Sequence, residues 1–459
     1  MTTPSSEQDR TEAVCIIGAG PAGLATARAL RARRLDYDQF ERHSDVGGLW
    51  DIDSPGSPMY EAAHFISSRT MSGFSGFPMS DELPDYPSHR QVLSYLRNFA
   101  TAYGLRDAIE FNTRIDSVTK LDDGSWRVIR GDGRSARYQS VVCCSGVQWV
   151  PNQPPVPGSF SGEVLHSSHY RDLDQIRNKR VLVVGGGNSA CDIVVDAGRG
   201  AASATISMRR GYWFVPKHVF GIPSDVFADS GPQLPVWLQQ RLFGTLLNVL
   251  YGKPEKLGLQ RPEHKLFETH PVLNSNLFLS LQHGDVVAKP GIVTTSGSTA
   301  TFADGSAADF DMIILATGYL HAVPYAQEYF GSAQHPELYL TTFSREHPGL
   351  FGVGFLETNS GAYQHFDASG QMIASYLDDQ RRRPERARQF AELIAKDHPD
   401  LSGGIKFDKS PRHQGYVDAH TLTHYRDGIL KKMGWQMLEE AGSSALAGQA
   451  QIESAAAHR

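Results

Sequence analysis

Two glycine-rich segments, each preceded by a short apolar run and followed by a helix-like run, constrain the fold of this chain most. The first is Gly18-Ala19-Gly20-Pro21-Ala22-Gly23, and the second is Gly185-Gly186-Gly187-Asn188-Ser189-Ala190. In a strand–turn–helix unit the glycines permit a tight turn, and the N–H groups at the start of the helix can bind a pyrophosphate. These segments, here called the first turn and the second turn, predict an α/β fold with two Rossmann-like dinucleotide-binding domains.

The first turn has the neighbours that a dinucleotide site requires. Residues 13–17 predict a buried strand, residues 24–33 a helix and residues 36–41 a second strand. Glu41 ends that second strand, at the spacing where a carboxylate hydrogen-bonds a ribose diol. The candidate binding residues of this site are Gly18, Gly20, Pro21, Ala22, Gly23, Glu41, Gly48, Leu49 and Trp50.

The second turn is followed by cations where the first is followed by an acid. Its strands are predicted at residues 180–184 and 204–208, and Arg209 and Arg210 come directly afterwards. A carboxylate there would repel a 2′-phosphate by about 4 kcal/mol at ~4 Å and an effective dielectric constant of about 20, whereas arginine attracts it. We therefore expect NADPH rather than NADH, the alternative being that the arginines are a solvated strand end. The candidate residues are Gly185, Gly187, Asn188, Ser189, Ala190, Ser207, Arg209 and Arg210.

Composition argues against several classes of function. The chain has 459 residues and a net charge of −6, which gives no basic field for nucleic acid. Its four cysteines have neither metal-ligand nor disulfide spacing, so we expect reduced thiols and no metal. Residues 1–13 lack the apolar core of a signal peptide, and residues 236–251 are too short and too polar to span a bilayer. These features predict a cytoplasmic protein without a membrane anchor.

A further motif lies just before the second turn, in the run Phe160-Ser161-Gly162-Glu163-Val164-Leu165-His166-Ser167-Ser168-His169-Tyr170. It resembles the fingerprint of the flavin-containing monooxygenases, which are class B flavoprotein monooxygenases, and it adds His166 and Tyr170 to the candidate cofactor residues. Ala316-Thr317-Gly318 resembles a later linker motif of the same family and is a candidate as well. The likeness covers about residues 13–435.

The resemblance implies both a function and a domain order. It implies FAD at the first turn, NADPH at the second turn, and addition of O2 to the reduced flavin as a C4a-hydroperoxide. The substrate would be a nucleophilic nitrogen or sulfur of a small organic molecule, and a homodimer is possible. The NADPH domain would be inserted into the FAD domain. The expected bounds are 1–170 and 316–440 for the two parts of the FAD domain, 171–315 for the NADPH domain and 441–459 for a disordered tail.

One position departs from the pattern of the family. In the members that oxygenate amines and sulfides, an active-site asparagine lies beside the flavin, and the resemblance places that position at Ile66. Ser67 and Ser68 follow it, so either a serine hydroxyl replaces the hydrogen bond of the asparagine or the site is more apolar. Ile66, Ser67 and Ser68 are therefore the candidate residues on the catalytic side of the flavin.

Two other functions stay open. A Baeyer–Villiger monooxygenase, which acts on ketones, typically has Trp followed by Pro or Asp where this chain has Tyr170-Arg171. A flavin-dependent NADPH reductase would transfer electrons without oxygenation. Its disulfide-reducing type needs a Cys-x-x-Cys that this sequence does not contain, whereas a ferredoxin-reducing type needs no local motif. His321, His365 and Asp367 could serve as acid–base groups, although we expect structural roles for them.

Overall fold

The computed structural model of the protein describes residues 7–231, 234–331, 337–408 and 415–437. The tail expected at residues 441–459 lies outside the described residues. The helices are α1 (Pro21–Ala32), α2 (Arg69–Ser72), α3 (His89–Ala102), α4 (Asn188–Gly200), α5 (Ser224–Asp229), α6 (Val236–Tyr251), α7 (Asn276–His283), α8 (Tyr363–Arg382), α9 (Pro384–Lys396) and α10 (Ala419–Met433).

A seven-stranded sheet forms the core of the first domain. Its strand Val14–Ile17 is buried at every residue and pairs in parallel with Ser140–Cys143 and Tyr37–Phe40, which explains its continuous apolar sequence. Leu350–Gly352 then pairs in parallel with Ser140–Cys143, so the chain returns to this sheet late in its length. The spatial order is Leu338–Tyr339, Phe343–Ser344, Leu350–Gly352, Ser140–Cys143, Val14–Ile17, Tyr37–Phe40 and Ile109–Glu110.

A five-stranded parallel sheet forms the core of the second domain. Its spatial order is Glu163–His166, Met312–Leu315, Arg180–Val184, Ser203–Ser207 and Val286–Lys289. All five strands come from the part of the chain between Ser140–Cys143 and Leu338–Tyr339, which belong to the first sheet. The second Rossmann-like domain is therefore inserted into the first, and the α/β fold class expected from the two turns is confirmed.

Smaller sheets complete the two domains. One antiparallel arrangement carries Trp126–Arg130 between Ile115–Lys120 and Ser135–Tyr138. Gln8–Asp9 adds to this arrangement by pairing with Ser135–Tyr138. A second four-stranded sheet contains, in spatial order, Gly158–Phe160, Ile292–Gly297, Thr299–Phe302 and Ala307–Asp309. The two-stranded sheets are Phe214–Val215 with Val272–Leu273, His218–Val219 with Ile222–Pro223, Val150–Pro151 with Tyr319–Leu320, and Glu357–Thr358 with Tyr416–Val417.

The bounds of several elements agree with local sequence signals. The strand predicted at residues 180–184 is observed as Arg180–Val184. The helix predicted at residues 24–33 starts earlier, at Pro21, because proline suits the first helical position, whose N–H would have no partner. α6 spans the residues expected for it, and no helix in the described ranges combines the length and apolarity needed to cross a bilayer.

A buried ion pair joins α1 to α8 inside the first domain. The guanidinium of Arg28 on α1 contacts the carboxylate of Asp367 on α8, and their side chains are 5% and 0% exposed. Gln371 also donates to Asp367 at 2.7 Å, while Arg28 donates to the carbonyl of Ser75 at 2.9 Å. Burial raises the pKa of Asp367, although the nearby Arg28 acts in the opposite direction. His365 is likewise buried, beside Arg426. Two of the candidates for acid–base chemistry, Asp367 and His365, therefore have partners within the fold.

We predict that Asp367→Ala lowers the free energy of unfolding by about 3–5 kcal/mol, because it leaves the Arg28 charge buried without its carboxylate. Urea unfolding of the FAD-loaded protein, followed by far-ultraviolet circular dichroism, measures the change. Asp174→Ala is the matched control, since the Asp174–Arg177 pair is 79% and 63% exposed and such pairs are worth less than about 1 kcal/mol. Equal losses in the two variants would contradict the prediction.

Candidate cofactor-binding and active site

One cavity of about 950 Å³ extends between the two turns. It brings together the N-terminal ends of α1 and α4, which belong to different domains. Sixteen of the residues expected from sequence line it, namely Gly18, Gly20, Pro21, Ala22, Glu41, Gly48, Leu49, Trp50, Ile66, Ser67, Gly187, Asn188, Ser189, Ala190, Ala316 and Gly318. A single space of this size next to both turns is suited to two dinucleotides whose rings meet.

The first turn fits a pyrophosphate. Gly18 has a φ of +110°, and a Cβ there would lie 2.5 Å from the carbonyl oxygen of Cys144. The N-cap of α1 is Gly20, which offers no side-chain hydrogen bond, so the N–H groups of the first helical turn stay available to a ligand. Gly23 lies behind the turn rather than in the cavity, and a Cβ there would meet the carbonyl oxygen of Gly18 at 2.0 Å.

Glu41 is placed at the ribose end of the same site. It is 5% exposed, and its carboxylate accepts hydrogen bonds from the N–H groups of Ala19 at 2.7 Å and His43 at 2.9 Å. Burial raises the pKa of this carboxyl. Each oxygen keeps a second lone pair that can accept from a ribose hydroxyl. Close by, the Arg42 guanidinium stacks 3.9 Å from the centre of the Trp149 ring. Together with the glycine turn, these groups fit the adenosine half of FAD.

Ile66, Ser67 and Ser68 occupy different environments. Ile66 is 39% exposed and lines the cavity together with Ser67, whose hydroxyl lies 2.7 Å from that of Ser72. Ser68 does not line the cavity, because it is the N-cap of α2, and its N–H donates to Asp225 at 2.6 Å. The position of the family asparagine is therefore apolar, with one serine hydroxyl beside it.

The second turn repeats the geometry of the first. Gly185 has a φ of +144°, and a Cβ there would lie 2.3 Å from the carbonyl oxygen of Ala316. Gly187 is the N-cap of α4 and gives no side-chain hydrogen bond, so this helix also presents open N–H groups. Asn188 is held by the N–H of Leu273, which donates to its side-chain oxygen at 3.0 Å. The second turn therefore fits the pyrophosphate of a nicotinamide dinucleotide.

Three expected residues, Ser207, Arg209 and Arg210, lie at the carboxyl end of the strand Ser203–Ser207 and do not line the cavity. The Ser207 hydroxyl donates to the carbonyl of Pro290 at 2.8 Å. Arg210 lies 5.5 Å from the centre of the Tyr212 ring and 3.5 Å from the carboxylate of Asp408. Arg209 is exposed, and the part of the chain that the structure describes gives it no ion-pair partner. Arg209 is thus the cation that an incoming phosphate can reach without breaking an existing ion pair.

The remaining expected residues lie at the junction of the domains. His166 is buried, and its Nε2–H donates to the carbonyl of Gly318 at 3.1 Å while Nδ1 accepts from the N–H of Ser168. The hydroxyl of Thr317 donates to the carbonyl of Asn152 at 2.6 Å. Tyr170 is completely buried and donates to Asp196, so neither Tyr170 nor His166 lines the cavity.

Comparison with known proteins decides the family. The flavin-binding monooxygenase-like family matches residues 11–420. The chain belongs to this family. Flavin-containing monooxygenase 3 of Homo sapiens is 31% identical over 394 residues, which cover 79% of this chain and 73% of that protein. Dimethylaniline monooxygenase (N-oxide-forming) 2 of Oryctolagus cuniculus is 33% identical over 342 residues, which cover 69% of this chain, so this chain spans 63% of the length of that relative.

Solved structures share the fold of this flavin-binding monooxygenase. S-allyl-L-cysteine S-oxygenase from Allium sativum has a TM-score of 0.64 at 21% identity, with 95% of this chain and 92% of that chain covered. An oxidized steroid monooxygenase bound to NADP has a TM-score of 0.70 at 18% identity, with 93% and 98% covered. The two turns and the family of this chain indicate FAD and NADPH as its cofactors.

Among the cavity residues that were not candidates from sequence, three carry carboxylates and come from α4, from α5 and from the segment after Leu350–Gly352. Asp192, Asp225 and Glu357 all line the cavity. Asp192 follows Asn188 by one helical turn, so helical spacing could have placed it on the same face of α4. Asp225 on α5 and Glu357, which lies 3.1 Å from His321, come from segments without a motif. Sequence offers no comparable signal for these two residues.

Asp192 is a cavity carboxylate with a hydrogen-bond donor on each oxygen. Tyr60 donates to its Oδ2 at 2.9 Å, and Asn274 donates to its Oδ1 at 2.7 Å. Burial nevertheless raises the pKa of Asp192 to about 6, against the opposing effect of these donors and of Lys217. A carboxyl whose pKa is raised by folding favours the folded state when it is protonated.

We predict that the stability of the wild type relative to Asp192→Asn falls as the pH rises from about 4 to about 7. The contribution of the protonated Asp192 is fully present below its unfolded pKa and is lost as the pH passes the folded value of about 6. The unfolding midpoints of both proteins, measured at half-unit pH intervals, test this expectation. A difference between the two midpoints that does not vary with pH would contradict it.

We also predict that Arg209→Ala raises the KM for NADPH about tenfold or more and changes the KM for NADH less than about twofold. A hydrogen bond to a charged group is worth about 1.5–3 kcal/mol, and only NADPH carries the 2′-phosphate. Arg199→Ala is the matched control, because Arg199 lies exposed in the last turn of α4. Steady-state kinetics with both nucleotides test this, and equal effects on NADPH and NADH would show that Arg209 does not bind the phosphate.

Proposed function

We propose that this monooxygenase uses NADPH and O2 to oxygenate a nucleophilic nitrogen or sulfur atom of a small organic substrate. The observation that carries the proposal is the single cavity that joins the N-terminal ends of α1 and α4. Two cofactors held at these helices would have their rings in the same cavity. When bound, FAD takes electrons from NADPH and activates O2.

The residues of the chain bind, orient and exclude water. The first turn and Glu41 hold one dinucleotide, and the second turn with Arg209 holds the other. The wall between them carries apolar side chains, among them Trp50, which stacks on Phe65 at 4.8 Å between ring centres. Such a wall keeps water from the reacting atoms, which limits wasteful release of hydrogen peroxide.

The chemistry of the cavity favours a nucleophilic heteroatom over a ketone. Baeyer–Villiger oxygenation needs a cation near the attacking oxygen. The arginines that line the cavity, among the residues that the structure describes, are Arg42 and Arg114, and both lie at the Glu41 end. Arg42 is stacked on Trp149, and Arg114 donates to Asp116 at 2.7 Å. A thioether or an amine requires no such cation, because the heteroatom lone pair attacks the oxygen itself.

The finer assignments belong to the same proposal. The expected residues that line the cavity keep their assigned cofactors, and Arg209 keeps the 2′-phosphate. The proposed domain bounds are 1–170, 171–315 and 316–440 with one change, because the strand Glu163–His166 belongs to the sheet of the second domain. A cytoplasmic location is supported by four free and buried cysteines, since a reducing compartment keeps thiols in this form. The partners are a small-molecule substrate and O2, and a homodimer is proposed from the family alone.

We predict that the FAD-loaded protein converts methyl phenyl sulfide to its sulfoxide at least about tenfold faster than it converts cyclohexanone to its lactone. The test is product analysis with NADPH and O2 under identical conditions, and the reaction without NADPH is the control. Lactone as the main product would establish the Baeyer–Villiger alternative instead. Oxidation of NADPH that yields hydrogen peroxide but no oxygenated product, over a panel of thioethers, amines and ketones, would favour the reductase.

A further inference from the structure

A segment of the first domain crosses into the second domain beside the cavity. This segment, residues 57–67, is here called the strap. Near its end, Phe65 packs in the core of the first domain, with its ring 5.5 Å from that of Tyr363. Its middle packs elsewhere, because Tyr60 and Ala63 are 5% and 4% exposed within the core of the second domain. The strap therefore has one anchor in each domain.

Arg171 fastens the start of the strap to the second domain. Its guanidinium donates to the carbonyl of Ser57 at 2.8 Å and to that of Met59 at 3.0 Å. The N–H of Glu61 in turn donates to the carbonyl of Arg171 at 2.8 Å. These contacts involve backbone groups of the strap. They therefore fix the backbone position of the strap whichever side chains it carries.

Tyr60 connects the strap to α4 at a carboxylate on the cavity wall. Its hydroxyl donates to Asp192, which lies on α4 one turn after Asn188. The other oxygen of Asp192 accepts from Asn274, whose own side-chain oxygen accepts from the N–H groups of Asn276 and Leu277 at 2.9 Å. The orientation of the Asn274 amide is thus determined, and Asp192 is held between one donor from each domain.

We propose that Asp192 and Tyr60 are positioning residues that transmit the binding of the nicotinamide dinucleotide at α4 to the strap, and through it to Ile66 and Ser67. This proposal rests on the proposed function, because it needs the dinucleotide at the second turn. A ligand that draws the start of α4 towards itself moves Asp192, and the buried hydrogen bond carries that movement to Tyr60. Ile66 and Ser67 belong to the same strap and line the same cavity.

The test compares Tyr60→Phe with a matched control, Tyr339→Phe. The control removes the same kind of bond, since Tyr339 is 1% exposed and donates to Asp397 at 2.7 Å, within the first domain and away from the cavity. Hydrogen–deuterium exchange of residues 57–67 is measured on the FAD-loaded proteins with and without NADP⁺. We expect NADP⁺ to slow exchange in the strap of the wild type and of Tyr339→Phe. In Tyr60→Phe we expect at least a threefold loss of that protection and about a fivefold rise in the Kd for NADP⁺.

A second measurement determines how much of the NADPH oxidation is uncoupled from oxygenation of the substrate. At saturating NADPH, the fraction of NADPH oxidised that appears as hydrogen peroxide should rise at least twofold in Tyr60→Phe and stay unchanged in Tyr339→Phe. The FAD content should be the same in all three proteins. A purely structural role for Tyr60 would lower the melting temperature of both variants alike and would leave the NADP⁺-dependent protection intact, which would overturn the proposal.

A further variant covers the case in which Tyr60→Phe does not retain FAD. Asp192→Ala removes both acceptor oxygens, so it should lose the same protection. Wild-type protein that oxygenates a thioether but shows no protection of the strap by NADP⁺ would overturn this inference alone. Protection of the strap in a protein that forms no oxygenated product would overturn the proposed function and support the inference.

Discussion

The two turns of this protein depend on one steric constraint, the close approach of a glycine Cα to the carbonyl oxygen at the end of a neighbouring strand. At Gly18 that oxygen belongs to Cys144, and at Gly185 it belongs to Ala316. Any side chain at either position would push the turn away from the sheet and would also have to adopt a positive φ. Because both turns can lie tightly against their sheets, α1 and α4 begin at the cavity and direct their open N–H groups into it.

Sequence determined the parts of the fold that rest on local signals. The strand Arg180–Val184 is observed where its apolar run predicts it, and α1 covers most of its predicted range but begins three residues earlier, at Pro21. The environment of Ser207 could not be predicted in this way, because its hydroxyl partner, Pro290, is remote in the chain. The same holds for the Tyr60–Asp192 bond, which joins residues of two domains across 132 positions. The helical period places Asp192 on the right face of α4, but only the tertiary structure shows what it meets.

The two domains contribute different charged side chains to the cavity. Arg42 and Arg114 lie at the end lined by Glu41, where stacking on Trp149 and pairing with Asp116 occupy them. Two further carboxylates, Asp192 and Asp225, are contributed by the second domain, and each accepts a hydrogen bond from the first. A phosphate would be repelled by these carboxylates, so the phosphates of both cofactors are directed to the helix N-termini and the space between is left for rings and substrate.

Insertion of one domain into another requires two chain crossings, and here they lie side by side. The fingerprint run and the 316–318 linker meet where Gly318 accepts hydrogen bonds from both His166 and the N–H of Asn152. Two adjacent crossings form a hinge, which leaves rotation about the hinge weakly restrained. The strap adds a third connection between the domains, through Arg171 and Tyr60. Because this connection involves different residues from the two crossings, it restrains the rotation that the hinge alone would leave free.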